Sequence, residues 1–136
     1  MKIQFILIFI LTSVLLAQAQ GSVVSWGTLN LYGECSVPPD DDIVAIASGP
    51  FHGLALKSDS TIVCWGDNSF GCSSVPNPNE NFVAVAAGGE YDEECRLILP
   101  FSAGLKADGS IVCWGSNYLG QCNVPYPNQD FVAISA

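Results

Sequence analysis

The stretch "IVCWGSNYLGQCNVP" (residues 111–125) repeats an earlier one, "IVCWGDNSFGCSSVP" (62–76), and a looser copy, "VVSWGTLNLYGECSVP", fills 23–38. Trp26 and Trp65 are 39 residues apart, and Trp65 and Trp114 are 49 apart. A second landmark keeps the same offsets: "IVAIAS" starts at Ile43, "FVAVAA" at Phe82 and "FVAISA" at Phe131. Each Trp precedes the next apolar segment by 17 residues. A period near 40 residues marks a repeat architecture, in which one unit buries its apolar face only against its neighbours. The ten extra residues of the third copy fall between Gly89 and Ser102, within "EYDEECRLILPF".

Within a unit the patterning predicts four short strands. "IVAIAS" is β-branched and apolar, "HGLALK" alternates, "TIVCWG" is a second β-branched run, and "SSVP" or "CNVP" is a short fourth. Asp59-Ser60 and Asp108-Gly109 sit between the second and third strands as hairpin turns. "WGDNSFG" and "WGSNYLG" are Gly-bounded loops, and "PNPNEN" and "PYPNQD" are Pro/Asn linkers that exclude helix. The expected fold class is all-β, a partial β-propeller of roughly 40-residue four-stranded blades. The units span about 23–42 (partial), 43–81 and 82–130, with a last strand at 131–136.

The opening "MKIQFILIFILTSVLLAQAQ" carries one Lys, an apolar run to Leu16 and Ala17-Gln18-Ala19, the pattern of a signal peptide over residues 1–19. Its run is short for a membrane span, which needs about 20 apolar residues. The expected protein is therefore secreted, periplasmic or displayed at the cell surface, with no stable membrane insertion after cleavage. Beyond the leader three basic residues (Lys57, Arg96, Lys106) face thirteen acidic ones. Such a surface repels phosphate backbones, which sets nucleic acid aside as a partner.

Taken together and in order, these elements resemble a known family. "VAIASGPFHGLALKSDSTIVCWGDNSFG" with "GQCNVP" downstream is similar to regulator-of-chromosome-condensation repeats, and most to their secreted bacterial branch. The resemblance covers nearly all of Val23 to Ala136. It implies a propeller of four-stranded blades, usually about seven, acting mostly as a binding scaffold. One eukaryotic branch of the family is an exchange factor for a small GTPase, and one secreted bacterial branch inhibits β-lactamases. The chain departs from that pattern in holding two and a half units. A ring closes with about four to eight blades, so the expectation is a fragment of a longer chain, with self-assembly only if the chain is complete.

Trp65, Trp114 and His52 are expected in the blade core, His52 bonded to a neighbouring backbone rather than acting as a base. Six cysteines in an exported chain suggest disulfides. Cys113 precedes a Trp and Cys122 follows the loop, which places them across adjacent strands. Cys64–Cys72 resembles that pair, but Cys72 aligns with Gln121 and Ser73 with Cys122. Either a bulge brings Cys72 to Cys64 or Cys72 has another partner, since one residue of slip reverses the facing side. Cys35 and Cys95 pair with each other or stay free. No C-x-x-C is present and His52 is the sole His, so no metal and no cofactor is expected. Asp40-Asp41-Asp42 and Asp92-Glu93-Glu94 read as solvated loops. No nucleophile elbow or phosphate loop is present. The expected function is non-enzymatic: a module whose loops hold an unknown protein partner, with Phe51, Phe70, Tyr91 and Tyr118 as aromatic anchors. A structural or adhesive surface protein, a β-lactamase-inhibitor-like binder and a propeller hydrolase or lyase are the alternatives.

Overall fold

The computed structural model describes residues 3–6, 21–26, 30–92 and 97–136. Strands run β1 (Ile3–Ile6), β2 (Gly21–Val24), β3 (Ile43–Ser48), β4 (His52–Lys57), β5 (Ile62–Gly66), β6 (Phe82–Asp92), β7 (Leu97–Lys106) and β8 (Ile111–Gly115), with one 3-10 turn at Ser69–Gly71. They form two sheets, β1-β2-β3-β4-β5 and β6-β7-β8. Every pairing is antiparallel except β1 with β2. β1 lies within residues 1–19, the rest of which fall outside the described residues, and β2 joins β3 through Gly21 opposite Ile43.

The repeat is visible in the register. His52 pairs with Gly66 and Leu56 with Ile62; Phe101 pairs with Gly115 and Leu105 with Ile111. Both first strands carry an irregularity at the same place, between Ile43 and Ala45 and between Phe82 and Ala84.

β4 shows why these residues make a strand buried on both sides. Leu54 and Leu56 point one way and join Ile62, Phe82, Val85, Ala87 and Trp114 in a core shared by the two sheets. Ala55 points the other way, into a second cluster with Ile43 and Trp65. Gly53 shares that face, and a Cβ there would collide with the Trp65 ring. Large side chains thus alternate with small ones along one strand. Truncating Leu54, fully buried, would cost about 3 kcal/mol.

Three expectations change. The fourth strand is not formed: "SSVP" and "CNVP" are irregular. Pro76 and Pro125 carry no N–H to donate to a ladder. Residues 131–136 are likewise not a strand, because no described strand lies beside them. One bond seats the segment, Phe131 N–H to Gly109 O at 3.0 Å, matching Phe82 N–H to Ser60 O one unit earlier. The surplus of the third unit is a longer hairpin. In the second unit β3 turns into β4 within a few residues, whereas β6 and β7 continue as a ladder through Gly89–Pro100, Glu90–Leu99, Tyr91–Ile98 and Asp92–Leu97. Leu99 and Pro100 are buried at the base of this arm.

Candidate functional site

Strand direction divides the molecule into two ends. β4 runs from His52, opposite Gly66, to Lys57, opposite Ile43, and β7 runs the same way to Lys106. The end marked by Gly66 and Gly115 carries the β3–β4 turn, the β6–β7 arm and the loops after each Trp-Gly. The opposite end carries the turns at Asp59 and Asp108.

The loops after Trp share one construction. Asn68 Oδ1 accepts the Ser73 N–H at 3.0 Å, and its amide reaches Ser74 Oγ at 3.0 Å. Asn117 accepts from Cys122 N–H at 2.8 Å and donates to Asn123 Oδ1 at 3.0 Å. Asn30 accepts from Cys35 N–H at 2.8 Å and donates to Ser36 Oγ at 3.3 Å. A second acceptor fixes each tip: Glu34 for Tyr32 N–H, Asp67 for Ser69 N–H and Gln121 for Leu119 N–H. The tips are Leu31-Tyr32, Ser69-Phe70 and Tyr118-Leu119. Their apolar side chains are exposed: Leu31 by 74%, Tyr32 by 53%, Phe70 by 51%, Tyr118 by 73% and Leu119 by 54%. An apolar side chain held in water by a stapled loop loses little further freedom when something binds it.

The structure thus places Phe70 and Tyr118 at equivalent tips. Phe51 is half-buried on the adjoining turn, with its ring centroid 5.3 Å from that of Tyr32. Tyr91 lies on the arm, and its side chain falls outside the described residues, as does Cys95. Leu31, Tyr32 and Leu119 were missed. Counting from the Asn, rather than from the Trp, aligns all three tips, since the looser first copy has its extra residue between Trp26 and Asn30.

The core residues knit one unit to the next. Trp65 Nε1 donates to Glu34 O at 3.0 Å, and Trp114 Nε1 donates to Cys72 O at 2.9 Å, the equivalent carbonyl one unit on. The same Cys72 carbonyl accepts the Ser102 hydroxyl at 2.8 Å. Ser102 has therefore used its proton, and His52 Nε2, 2.9 Å from Ser102 Oγ, must carry the hydrogen of that bond. His52 Nδ1 has no hydrogen-bond partner among the described residues. His52 is 2% exposed. Burial pushes its pKa down, with Asp67 and the Phe101 backbone opposing. Its partner Ser102 is fully buried as well.

Cys113 and Cys122 are bridged, with Cα atoms 5.2 Å apart. Cys64 and Cys72 are not; both are thiols. Ser73 holds the place of Cys122: its Oγ lies 3.5 Å from Trp65 O, as Cys122 Sγ lies 3.7 Å from Trp114 O. Cys72, one residue off, donates its thiol to Asp67 O at 3.0 Å. Burial pushes the Cys64 thiol up to about 12, with Cys72 adding to it; burial pushes Cys72 up to about 11, with Asp67 adding. Such thiols are poor nucleophiles. Among the described residues no group of three or more His, Cys, Asp or Glu side chains is placed to hold a metal ion. Asp40 and Asp42 instead flank Lys57, at 3.3 and 3.5 Å.

Compared with known families, residues 43–72 and 82–121 match the Regulator of chromosome condensation (RCC1) repeat. The chain belongs to this repeat family. Both matched blocks begin at the first strand of a unit and end at the same loop position, Cys72 and Gln121, and the second is longer by the arm. Among curated proteins, none matches. Among solved structures, the chain is similar to the entire ectodomain of the receptor kinase CR4 from Physcomitrella patens. The identity is 19% and the TM-score 0.30, over 69% of this chain and 33% of that one. The chain spans about a third of that ectodomain's length.

Proposed function

We propose that this protein is a non-enzymatic, exported RCC1-repeat module of β-propeller type that holds a protein partner on its Trp-Gly loop end. The observation that carries this reading is the row of three loops, each closed by an Asn and each presenting an exposed apolar tip. Aromatic and large apolar side chains on rigid supports supply most of the energy of protein interfaces. The leader-like opening and the Cys113–Cys122 bridge support export. The seam repeated from Trp65–Glu34 to Trp114–Cys72 supports blades stacked in one direction, as a propeller requires.

The test is binding of a panel of exported proteins to the purified chain, alongside Phe70→Ser and Tyr118→Ser. Neither side chain is buried, so thermal stability should be unchanged. Binding should weaken about tenfold or more for each. Hits that bind both variants as well as the parent would remove the loop tips from the function. Turnover in a hydrolase substrate screen would overturn the non-enzymatic reading.

A further inference from the structure

We infer that the partner of the loop end is cationic: an apolar patch bordered by Lys or Arg. This rests on the reading of the loop tips as a docking surface. Two independent features of the fold lead to it. The first is where the two lysines among the described residues sit. β4 and β7 both run away from the loop end, so Lys57 and Lys106 lie at the far end. There they are engaged: Lys57 with Asp40 and Asp42, Lys106 with Pro78 O at 3.4 Å and over the Phe82 ring at 4.8 Å. No Lys or Arg stands at the loop end among the described residues.

The second feature is where the negative charges sit relative to the apolar tips. Glu34 and Asp67 belong to the first two loops themselves, each holding a tip amide through a carboxylate oxygen. Acidic residues thus accompany a row of apolar anchors. A neutral or acidic partner would bury these charges without compensation, which is costly. A basic one gains attraction at long range and pairing at contact.

The probe is three sets of synthetic peptides with identical Trp and Leu anchors and polar positions filled with Lys/Arg, Gln/Ser or Asp/Glu. Binding to the full chain is measured at low and at high salt. The Lys/Arg set should bind roughly tenfold tighter than the Gln/Ser set at low salt and lose that advantage at high salt. The variants E34Q and D67N, in which Gln and Asn keep an oxygen for the loop amide, should each lower the ratio of Lys/Arg-set to Gln/Ser-set affinity. Equal binding of the three sets, or preference for Asp/Glu, would overturn the cationic assignment but leave the docking surface standing, provided F70S and Y118S abolish binding. Binding that survives those two changes, or no binding by any set, overturns both.

Discussion

Asn79 turns its amide onto Ile62 in both directions, accepting its N–H and donating to its C=O at 2.8 Å each, and Asn128 does the same to Ile111 at 2.7 and 2.8 Å. Two hydrogen bonds from one side chain stand in for the rung that the irregular "SSVP" and "CNVP" segments do not supply. Asp40 holds the corresponding place in the first unit, cannot donate, and meets Lys57 instead. Asn79→Ala should therefore destabilise the fold by about 1–2 kcal/mol in urea melts, and Asn79→Asp should recover only part of that loss, since it keeps an acceptor and drops the donor. The sequence shows both Asn in matching linkers, but not that they reach back 17 residues to a strand. Turn chemistry was more legible. Ser60 takes φ +67° at the place where the third unit has Gly109 at φ +80°. Left-handed backbone strains a residue with a Cβ and suits glycine. Ser60→Gly should raise stability by about 0.5–1 kcal/mol, and Gly109→Ser should lower it by more, since its Cβ would sit 2.9 Å from Asp130 N.

At the scale of the element, the hairpins and the loops diverge in how far the sequence reveals them. The ladders His52–Gly66 and Phe101–Gly115 follow from apolar patterning around a Gly- or Asp-centred turn, and their register could be counted from the Trp. The arm could be located as a surplus, but "EYDEECRLILPF" has no alternating pattern to announce a ladder, and nothing in it shows that Leu99 and Pro100 fill the base. The fourth strand was over-read because "VP" after a loop resembles a strand end while offering few donors. Cysteine register was legible in part: the sequence shows the one-residue offset of Cys72 but leaves its pairing open, and in the structure Cys72 is a thiol. That offset makes a prediction. Ser73→Cys restores, opposite Cys64, the spacing of nine residues found between Cys113 and Cys122. Cys64 and the introduced thiol should bridge on air oxidation, as peptide mapping would show, and closing a loop of that length should stabilise the protein by about 2 kcal/mol. If mapping finds Cys72 in the bridge instead, the Ser73 side chain does not face Cys64.

For the whole molecule the two sheets share a seam, whose polar part is the line from His52 through Ser102 to the Cys72 carbonyl and Trp114. The apolar core around it draws Leu54, Leu56 and Ile62 from one sheet and Phe82, Val85 and Trp114 from the other, so the two should unfold together. A protonated His52 would place a second N–H on Nδ1, which has no acceptor among the described residues, and a charge where water is excluded. Burial accordingly holds the pKa of His52 below its ordinary 6.5. The unfolded chain takes up this proton first as pH falls, so the contribution is complete above about pH 6.5 and declines below it until the folded form is protonated as well. No other His exists to blur this window. Asp59 and Asp108, whose carboxyls are held below the usual range by bonds from Thr61 and Ser110, lose their contribution only at more acid pH. Thermal melts between pH 7 and pH 5 should show stability falling, by at most about 1.4 kcal/mol per pH unit. His52→Phe, which copies Phe101 at the equivalent place, should remove the slope while lowering stability at pH 7 through loss of the Ser102 bond. A slope that persists in His52→Phe would place the acid sensitivity elsewhere than the seam.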